Sequence, residues 1–487
     1  MKHHYKTLLA GISLLLSVTA CDNYLDITPK GEAVLNTTAD YLGLLEESMP
    51  TYTGSEFGYM ANVVTYYDRS QLDGYSYPLI SSSYFWDESI DRSQYMDDSA
   101  GESQLYNSCY TRISKYNIII DNIGDAEGSE ADKTLGIAQA KIMRAYNYFW
   151  LINTFAVPYD PTTAETDKGI ILHTHFDLEA KSVQSTVADA YQLICQDIED
   201  ALDDLPEQAL NTYRPDKAFG YAFKAKVMLY MRNYDAALEA ALEALEHGNH
   251  KLWDMPAWLQ QTADGIYGSG TDLSQDWIYS MVLMNAMHNY DDPENLLYQP
   301  MNAVFNATML NKATADLYDK LNDVRYRGVF SWNMPQRPTA EEGSVAFMYG
   351  TNVKLNEAGM RLSEVYLIIA ECYARQGNVN ETVNYLNTLR EKRFLNYTPL
   401  TTDDLNNDAA QALAFVREER RRELVTSYND FFDMRRFCAE FGETLIKTYI
   451  DSQGETHTFT LRPNSHLLTF PFPIKAMQTS DLTQNSK

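Results

Sequence analysis

Two pairs of amphipathic segments constrain the fold of this 487-residue chain more than any other feature. Each pair carries apolar and small residues at every third or fourth position, which puts those residues on one face of an α-helix. Short breaks at 232–233 and 377–378 separate the two segments of each pair. The segments are 218–229 with 237–245, and 362–373 with 383–389. Each pair therefore predicts two helices that pack against each other.

The two pairs align with each other. Ala225 is followed by Ala237 twelve positions later, and Ala370 is followed by Thr382 at the same interval. Small residues at these positions allow two helices to approach closely. The unit resembles the tetratricopeptide repeat, a helix–turn–helix of about 34 residues. Because the two copies are far apart in the chain, the repeats are not simply tandem.

Three further helical patterns precede the first pair. Pro158 and Pro206 follow the ends of two of them, where a helix cannot continue. Ser185 or Thr186 is a suitable N-cap for the last one. The three patterns run over 105–123, 135–149 and 187–205.

The predicted fold class is mainly α, with a tetratricopeptide-like helical-repeat scaffold over roughly 105–250 and 360–440. Two long stretches lack a helical period, roughly 50–100 and 250–360, and both are rich in Gly, Ser, Asn, Tyr and Trp. Their aromatic content argues against disorder. We expect them to be ordered, loop-rich insertions that form the ligand-binding half of the protein.

The chain starts with the features of an exported lipoprotein. A basic lead precedes a largely apolar stretch over 7–16, and small residues then lead to Cys21. This order is typical of a secretory signal peptide, and the apolar stretch is too short to cross a bilayer. A cysteine directly after the small residues resembles the bacterial lipobox. We therefore expect removal of residues 1–20 as a lipoprotein signal peptide and lipidation of Cys21, with an ordinary signal peptide as the alternative.

The charge balance excludes one class of partner. The chain has 39 basic and 67 acidic residues, a formal net charge of −28 at pH 7, so nucleic acid is not an expected partner. The remaining cysteines form no CxxC pair, and we interpret most of them as buried thiols. The arginine run 420–422 has glutamates on both sides and indicates an ion-paired helix face. No cofactor is predicted.

A shared pattern runs in order through the segments 21–29, 144–159, 361–371, 419–424, 432–436, 471–474 and 482–485. Together these segments resemble the SusD/RagB family of Bacteroidetes outer-membrane lipoproteins. The similarity covers the start of the mature chain, a long-helix signature, the second helix pair, an arginine-rich helix with its successor, and the closing segment. The residues at 427–430 depart from the glutamate–glycine pair that is usual in the family.

The resemblance implies a right-handed helical scaffold with a nutrient-binding, loop-rich half on the cell surface. It also implies a partnership with a TonB-dependent, SusC-like outer-membrane transporter. Such proteins capture oligosaccharides, or peptides in some members, deliver them for import, and perform no chemistry. The family carries its ligand sites on loops that align poorly, so no ligand contact transfers from it residue by residue.

Candidate ligand contacts follow from residue type instead. Sugar recognition needs exposed rings for stacking and polar groups for hydroxyls. Both kinds of residue occur close together in the first insertion, and more rings lie in the second. The predicted ligand-binding residues are Tyr84, Trp86, Arg92, Tyr95, Trp277 and Trp332.

Three other interpretations remain open. The acidic residues between Asp87 and Asp98 could supply the carboxylate pair of a surface glycoside hydrolase, or hold calcium, although no EF-hand spacing is present. His173 and His175 could ligate zinc, but no third ligand is evident, so a structural role is favoured. A repeat scaffold that binds only peptides or proteins is the third alternative.

Overall fold

The computed structural model describes residues 35–46, 57–66, 78–177, 179, 182–274, 289–300, 308–331, 345–347, 355–425, 427–451 and 453–487. The expected signal peptide and Cys21 lie outside these residues, and so do Trp277 and Trp332. Within the described ranges the chain is mainly α-helical, as its periodicity predicts.

The helices are spread along the whole described chain. They are α1 (Thr38–Gly43), α2 (Phe57–Met60), α3 (Pro78–Phe85), α4 (Gly101–Asn122), α5 (Glu130–Phe155), α6 (Val187–Leu202), α7 (Lys217–Tyr230), α8 (Tyr234–Glu246), α9 (Met255–Tyr267), α10 (Lys312–Ala315), α11 (Val324–Val329), α12 (Leu362–Arg375), α13 (Val379–Glu391), α14 (Ala409–Leu424), α15 (Asn429–Phe441) and α16 (Ile474–Thr479).

Short strands form small antiparallel sheets around the helices. One sheet has the order β1-β5-β7-β6, and three ribbons pair β2 with β3, β4 with β8, and β9 with β10. The strands are β1 (Val64–Tyr66), β2 (Lys168–Ile171), β3 (Gln184–Thr186), β4 (Asn295–Leu297), β5 (Thr308–Leu310), β6 (Phe330–Ser331), β7 (Val345–Phe347), β8 (Met360–Arg361), β9 (Leu445–Ile450) and β10 (Thr456–Leu461).

The helices stack in one continuous series. Helices α4 to α8 pack each against the next, α8 packs against α12, and α12 packs against α13 and α14. The two helical regions are therefore adjacent in space although the second insertion separates them in the chain. Apolar residues from α4 to α8, α12 and α15 share one buried core.

The two aligned helix pairs, α7–α8 and α12–α13, have matching turns. Arg232 and Gly377 both adopt positive φ angles, 62° and 79°. The next residue in each case, Asn233 or Asn378, caps the second helix by accepting a hydrogen bond from a backbone amide three positions later. In the second pair the Thr382 hydroxyl lies 3.4 Å from the Ala370 carbonyl oxygen, so the aligned small residues meet at the helix crossing.

Two helix starts show how closely sequence signals match the structure. Thr186 caps α6: its hydroxyl accepts from the Asp189 amide, and the Asp189 carboxylate accepts from the Thr186 amide, both at 3.0 Å. This reciprocal arrangement satisfies two backbone donors.

Helix α9, in contrast, lies in the stretch expected to be loop-rich. Its N-cap is Asp254, and a proline occupies its first turn.

Buried ion pairs join α12, α14 and α15. Glu371 accepts from both terminal nitrogens of Arg436, at 2.6 and 2.7 Å, and from Arg375 at 2.9 Å. Arg420 donates to Asp433 at 2.7 Å. The ion pairing predicted for 420–422 is confirmed, and Arg420 and Arg422 are buried rather than exposed to solvent. Charges this deep must be paired to be tolerated.

The four cysteines in the described residues are free thiols, as their helical positions indicate. Cys109, Cys372 and Cys438 are buried, and Cys195 is partly buried. Burial raises the pKa of the Cys109 thiol to about 12, so it stays protonated and packs as a small apolar group.

Candidate functional site

An open pocket of about 640 Å³ lies between the end of α3 and the β9–β10 ribbon. We call it the hairpin pocket. One wall comes from the chain that leaves α3, and the other comes from one face of the ribbon. Its lining residues are Phe85, Trp86, Asp87, Glu88, Tyr449, Asp451, His457, Phe459, Thr460 and Arg462.

Local chain geometry forms the first wall. Helix α3 ends at Phe85, and Trp86 adopts a left-handed φ of 51°, which turns the chain sharply. The Asp87 carboxylate then accepts from the Ser89 amide at 2.9 Å and from its hydroxyl at 2.6 Å. This side-chain cap holds the turn, so Phe85 and Asp87 keep fixed positions at the edge of the pocket.

The ribbon forms the second wall through its register. Tyr449 pairs with His457, and Lys447 pairs with Phe459. Because side chains alternate across a strand, these four residues share one face. At the turn, Gly454 has a φ of 87°, a conformation that favours glycine.

The rings of the two walls meet in a partly exposed aromatic floor. Phe85 lies 5.5 Å from Tyr449 and 5.2 Å from Phe459 between ring centroids. The His457 ring lies roughly parallel to Tyr449 and Phe459, at 6.3 and 6.5 Å. Carboxylates and one guanidinium surround these rings. Such a surface combines flat apolar faces with groups that hydrogen-bond hydroxyls.

A buried layer supports the floor. Trp86 is 4% exposed, and its indole nitrogen donates to the Met60 carbonyl at 3.0 Å. The Lys447 ammonium lies over the rings of Trp86 and Tyr84, at 4.4 and 4.7 Å from their centroids. Burial lowers the pKa of Lys447 to about 7. These residues position the exposed rings instead of presenting their own faces to solvent.

We expected the predicted ligand-binding residues to be exposed, but Tyr84, Trp86 and Arg92 are buried. Tyr84 is buried and its hydroxyl lies 3.0 Å from the Thr65 hydroxyl. Arg92 is fully buried, donates to the carbonyls of Thr469 and His466, and lies over the Phe470 ring. Its guanidinium satisfies main-chain acceptors that would otherwise be left unpaired in the interior.

Tyr95 is 37% exposed and lies apart from the hairpin pocket. It lines a separate open pocket with Pro78, Asp91 and Gln94. The structure thus brings Trp86 to the hairpin pocket with Tyr84 packed beneath it, and places Arg92 and Tyr95 elsewhere.

The acidic residues of the first insertion mostly cap turns. Asp91 accepts from the Ser93 hydroxyl at 2.6 Å, and Asp97 accepts from the Ser99 hydroxyl at 2.5 Å. These hydrogen bonds lower the pKa of both carboxyls. A general acid in glycoside hydrolysis needs a raised pKa instead. The local geometry therefore does not favour these two residues as catalytic acids.

His173 and His175 line another pocket, of about 450 Å³, on the α4 side of the molecule. The His173 ring packs edge-on against Tyr110, and burial lowers the pKa of His173. The His175 ring lies 2.9 Å from an Asp121 carboxylate oxygen. Among the described residues, no third ligand joins these two rings in a possible metal cluster.

Sequence reasoning missed the ribbon, and with it Tyr449, His457 and Phe459. A signal for the ribbon was present: threonine alternates with His457, Phe459 and Leu461 over 456–461, and Gly454 precedes this run.

Comparison with protein families identifies the class of this protein. A family model described as starch-binding and associating with the outer membrane matches residues 23–229. A SusD family model matches residues 348–486. The two matches follow each other along the chain and together cover more than half of it. The chain belongs to the SusD/RagB family.

Whole-chain relatives agree with this family. A SusD-like protein of Formosa agariphila is 25% identical over 470 residues, which cover 87% of this chain and 89% of the relative. A SusD-like protein of Bacteroides ovatus is 24% identical over 493 residues, which cover 88% and 82%.

Solved structures show the same fold. A SusD superfamily protein from Bacteroides thetaiotaomicron superposes with a TM-score of 0.66 at 19% identity, and the match covers 93% of this chain and all of that one. A laminarin-binding SusD-like protein superposes with a TM-score of 0.61 at 18% identity, covering 93% and 99%. In the described residues, no helix is long and apolar enough to cross a membrane.

Proposed function

We propose that this chain binds an oligosaccharide in the hairpin pocket and does not alter it chemically. The observation that carries the proposal is the partly exposed aromatic floor of Phe85, Tyr449 and Phe459, with carboxylates at its edge. Rings of this kind stack on the apolar face of a sugar, while the carboxylates accept hydrogen bonds from its hydroxyls. The laminarin-binding relative of the same fold supports a glycan as the ligand.

The proposal extends to the place of the protein in the cell. Cys21 would carry the lipid anchor at the outer membrane, and the binding domain would deliver its ligand to a SusC-like TonB-dependent transporter. The matched family model, described as associating with the outer membrane, supports this location. Trp277 and Trp332, which lie outside the described residues, remain proposed as further ligand contacts.

The first experiment measures binding of the purified protein to a panel of oligosaccharides by calorimetry. The panel includes laminarin oligosaccharides, mannan and host-type glycans, with peptides as a separate arm. Phe85→Ala and Tyr449→Ala each remove one stacking ring, so we expect each to weaken binding by about twofold to twelvefold, from ~0.5–1.5 kcal/mol per ring. Thermal melts would establish that both variants remain folded.

Phe176→Ala is the matched control. Phe176 is an exposed ring, 43% accessible, that lines the pocket with His173 and not the hairpin pocket. Its removal should leave affinity unchanged. Loss of binding in this variant alone would move the site to that pocket. Release of shorter sugars during incubation would replace the proposal with the hydrolase alternative, and binding in the peptide arm alone would replace the glycan.

The anchor is tested separately. A Cys21→Ala variant should be exported and should then be recovered in the soluble fraction instead of the membrane fraction. Continued membrane retention of this variant would contradict lipidation at Cys21 without affecting the binding site.

A further inference from the structure

The turn of the β9–β10 ribbon brings together three side chains that commonly ligate metal ions. They are Asp451 at the end of β9, Glu455 in the turn, and His457 in β10. Each offers one ligand atom, and these three atoms lie within 4.8 Å of one another. In contrast to the pair formed by His173 and His175, this cluster has the three protein ligands that a zinc site requires at minimum.

Two of the three donors are held in place by the ribbon itself. One carboxylate oxygen of Asp451 accepts from the amides of Gln453 and Glu455, at 2.9 and 2.8 Å. The other oxygen lies 2.7 Å from Nε2 of His457.

Neighbouring aromatic rings also restrict the orientation of the His457 imidazole. Because Tyr449 pairs with His457 across the ribbon, the His457 ring projects from the pocket face. This ring lies roughly parallel to those of Tyr449 and Phe459, at centroid distances of 6.3 and 6.5 Å. A ligand ring fixed in this way loses little freedom when a metal binds.

The donor set decides which ion fits. Calcium and magnesium prefer oxygen ligands alone, whereas one imidazole nitrogen with two carboxylates suits zinc and similar ions. Zinc bonds of about 2.0–2.2 Å place tetrahedral donor atoms ~3.4 Å apart. The Asp451 and His457 donors would have to separate by less than 1 Å, and Glu455, which is exposed, is free to rotate toward them.

We propose that Asp451, Glu455 and His457 bind one divalent ion of the zinc class at the rim of the hairpin pocket. The ion would cross-link the two strands at the turn and leave a fourth coordination position for water. Asp451 and His457 also line the hairpin pocket, so the two sites share residues, but metal binding can be measured in the absence of glycan.

The test uses the purified full-length chain without a polyhistidine tag, titrated with ZnCl₂ in a calorimeter. We expect one saturable site in the parent protein. His457→Ala should weaken that site by more than about tenfold, because it removes the nitrogen ligand. Zinc should also raise the melting temperature of the parent protein and not that of the variant.

His175→Ala is the matched control. His175 is an exposed histidine paired with a single carboxylate, Asp121, so its removal should leave zinc binding unchanged. Absence of a saturable zinc site, equal binding by His457→Ala, or binding of Ca²⁺ in place of Zn²⁺ would each overturn the proposal. Glycan binding that persists after zinc is removed by a chelator would leave the proposed function intact, so the two proposals fail separately.

Discussion

The helix pairs α7–α8 and α12–α13 have the same turn and bury different chemistry. Both turns combine a left-handed residue with an asparagine cap. The first pair buries a series of alanines, including Ala225, Ala237 and Ala241. The first helix of the second pair buries Glu364 and Glu371 as well as apolar residues.

The difference lies in the charged side chains that α12 meets on neighbouring elements. Helix α12 is covered by α8, α13 and α14, and its two glutamates reach arginines or a lysine of other elements. Glu371 meets Arg436 of α15, and Glu364 meets Lys226 of α7 at 2.9 Å. The turn and the small residues at the crossing are therefore common to both pairs. The glutamates of α12 connect the second pair to the rest of the scaffold.

Breaking the buried charge network should have the largest effect. Glu371→Ala would leave Arg436 and Arg375 buried without this partner, so we expect the free energy of unfolding to fall by about 3–5 kcal/mol. Urea unfolding followed by circular dichroism would measure the change. Glu239→Ala, at an exposed position on α8, is the control and should stay within about 0.5 kcal/mol. Similar values for both variants would mean that the charges on α12 are dispensable.

Acid should weaken the same network. Burial alone would raise the pKa of Glu371, but Arg436, Arg375 and Arg420 together hold it well below its usual range. A carboxyl with a depressed folded-state pKa contributes stability that is complete above its unfolded pKa, about 4.3, and is lost as the pH falls below it. We expect a loss of about 2–3 kcal/mol per such carboxyl between pH 5 and 2. A Glu371→Gln variant should show a shallower pH dependence, and an unchanged slope would contradict this assignment.

Overpacking the first pair should have a smaller effect. Ala225 is fully buried in α7, at the position that aligns with Ala370, so Ala225→Leu should cost about 1–3 kcal/mol by overpacking the contact between the helices. Ala257→Leu, at an exposed position of α9, is the control and should be nearly neutral. If Ala225→Leu were neutral as well, close approach would not be what defines the pair.

The turns should show the smallest effects. Gly377→Ala places a side chain at a φ of 79°, and we expect a loss of about 1 kcal/mol. Arg232→Gly relieves the same strain but removes a partly exposed ion pair with Asp160, so its change should stay within about 0.5 kcal/mol. Thermal unfolding of the two variants would compare the turns directly. A neutral Gly377→Ala variant would show that this left-handed position tolerates a side chain without measurable strain.

Local sequence signals predicted the scaffold well and the site only in part. The period of the apolar residues gave the helices, and Thr186 gave the start of α6, because both depend on neighbours within a few positions. Helix α9 was missed although Asp254 and the proline in its first turn were visible. Among the predicted ligand residues, Trp86 reaches the hairpin pocket, whereas Arg92 is buried among main-chain carbonyls more than 370 positions away in sequence.

By itself, the sequence determined the mainly helical fold, the two equivalent helix pairs and the family resemblance, because periodicity and motifs are local properties of the chain. Only the tertiary structure decided which charges meet on α12, and that the ribbon of Tyr449 and His457 faces the end of α3. Those contacts join segments that are distant in sequence, and their partners are selected by burial and packing. Which aromatic rings stay exposed depends on the same long-range contacts, because a ring is buried only where a distant segment packs over it.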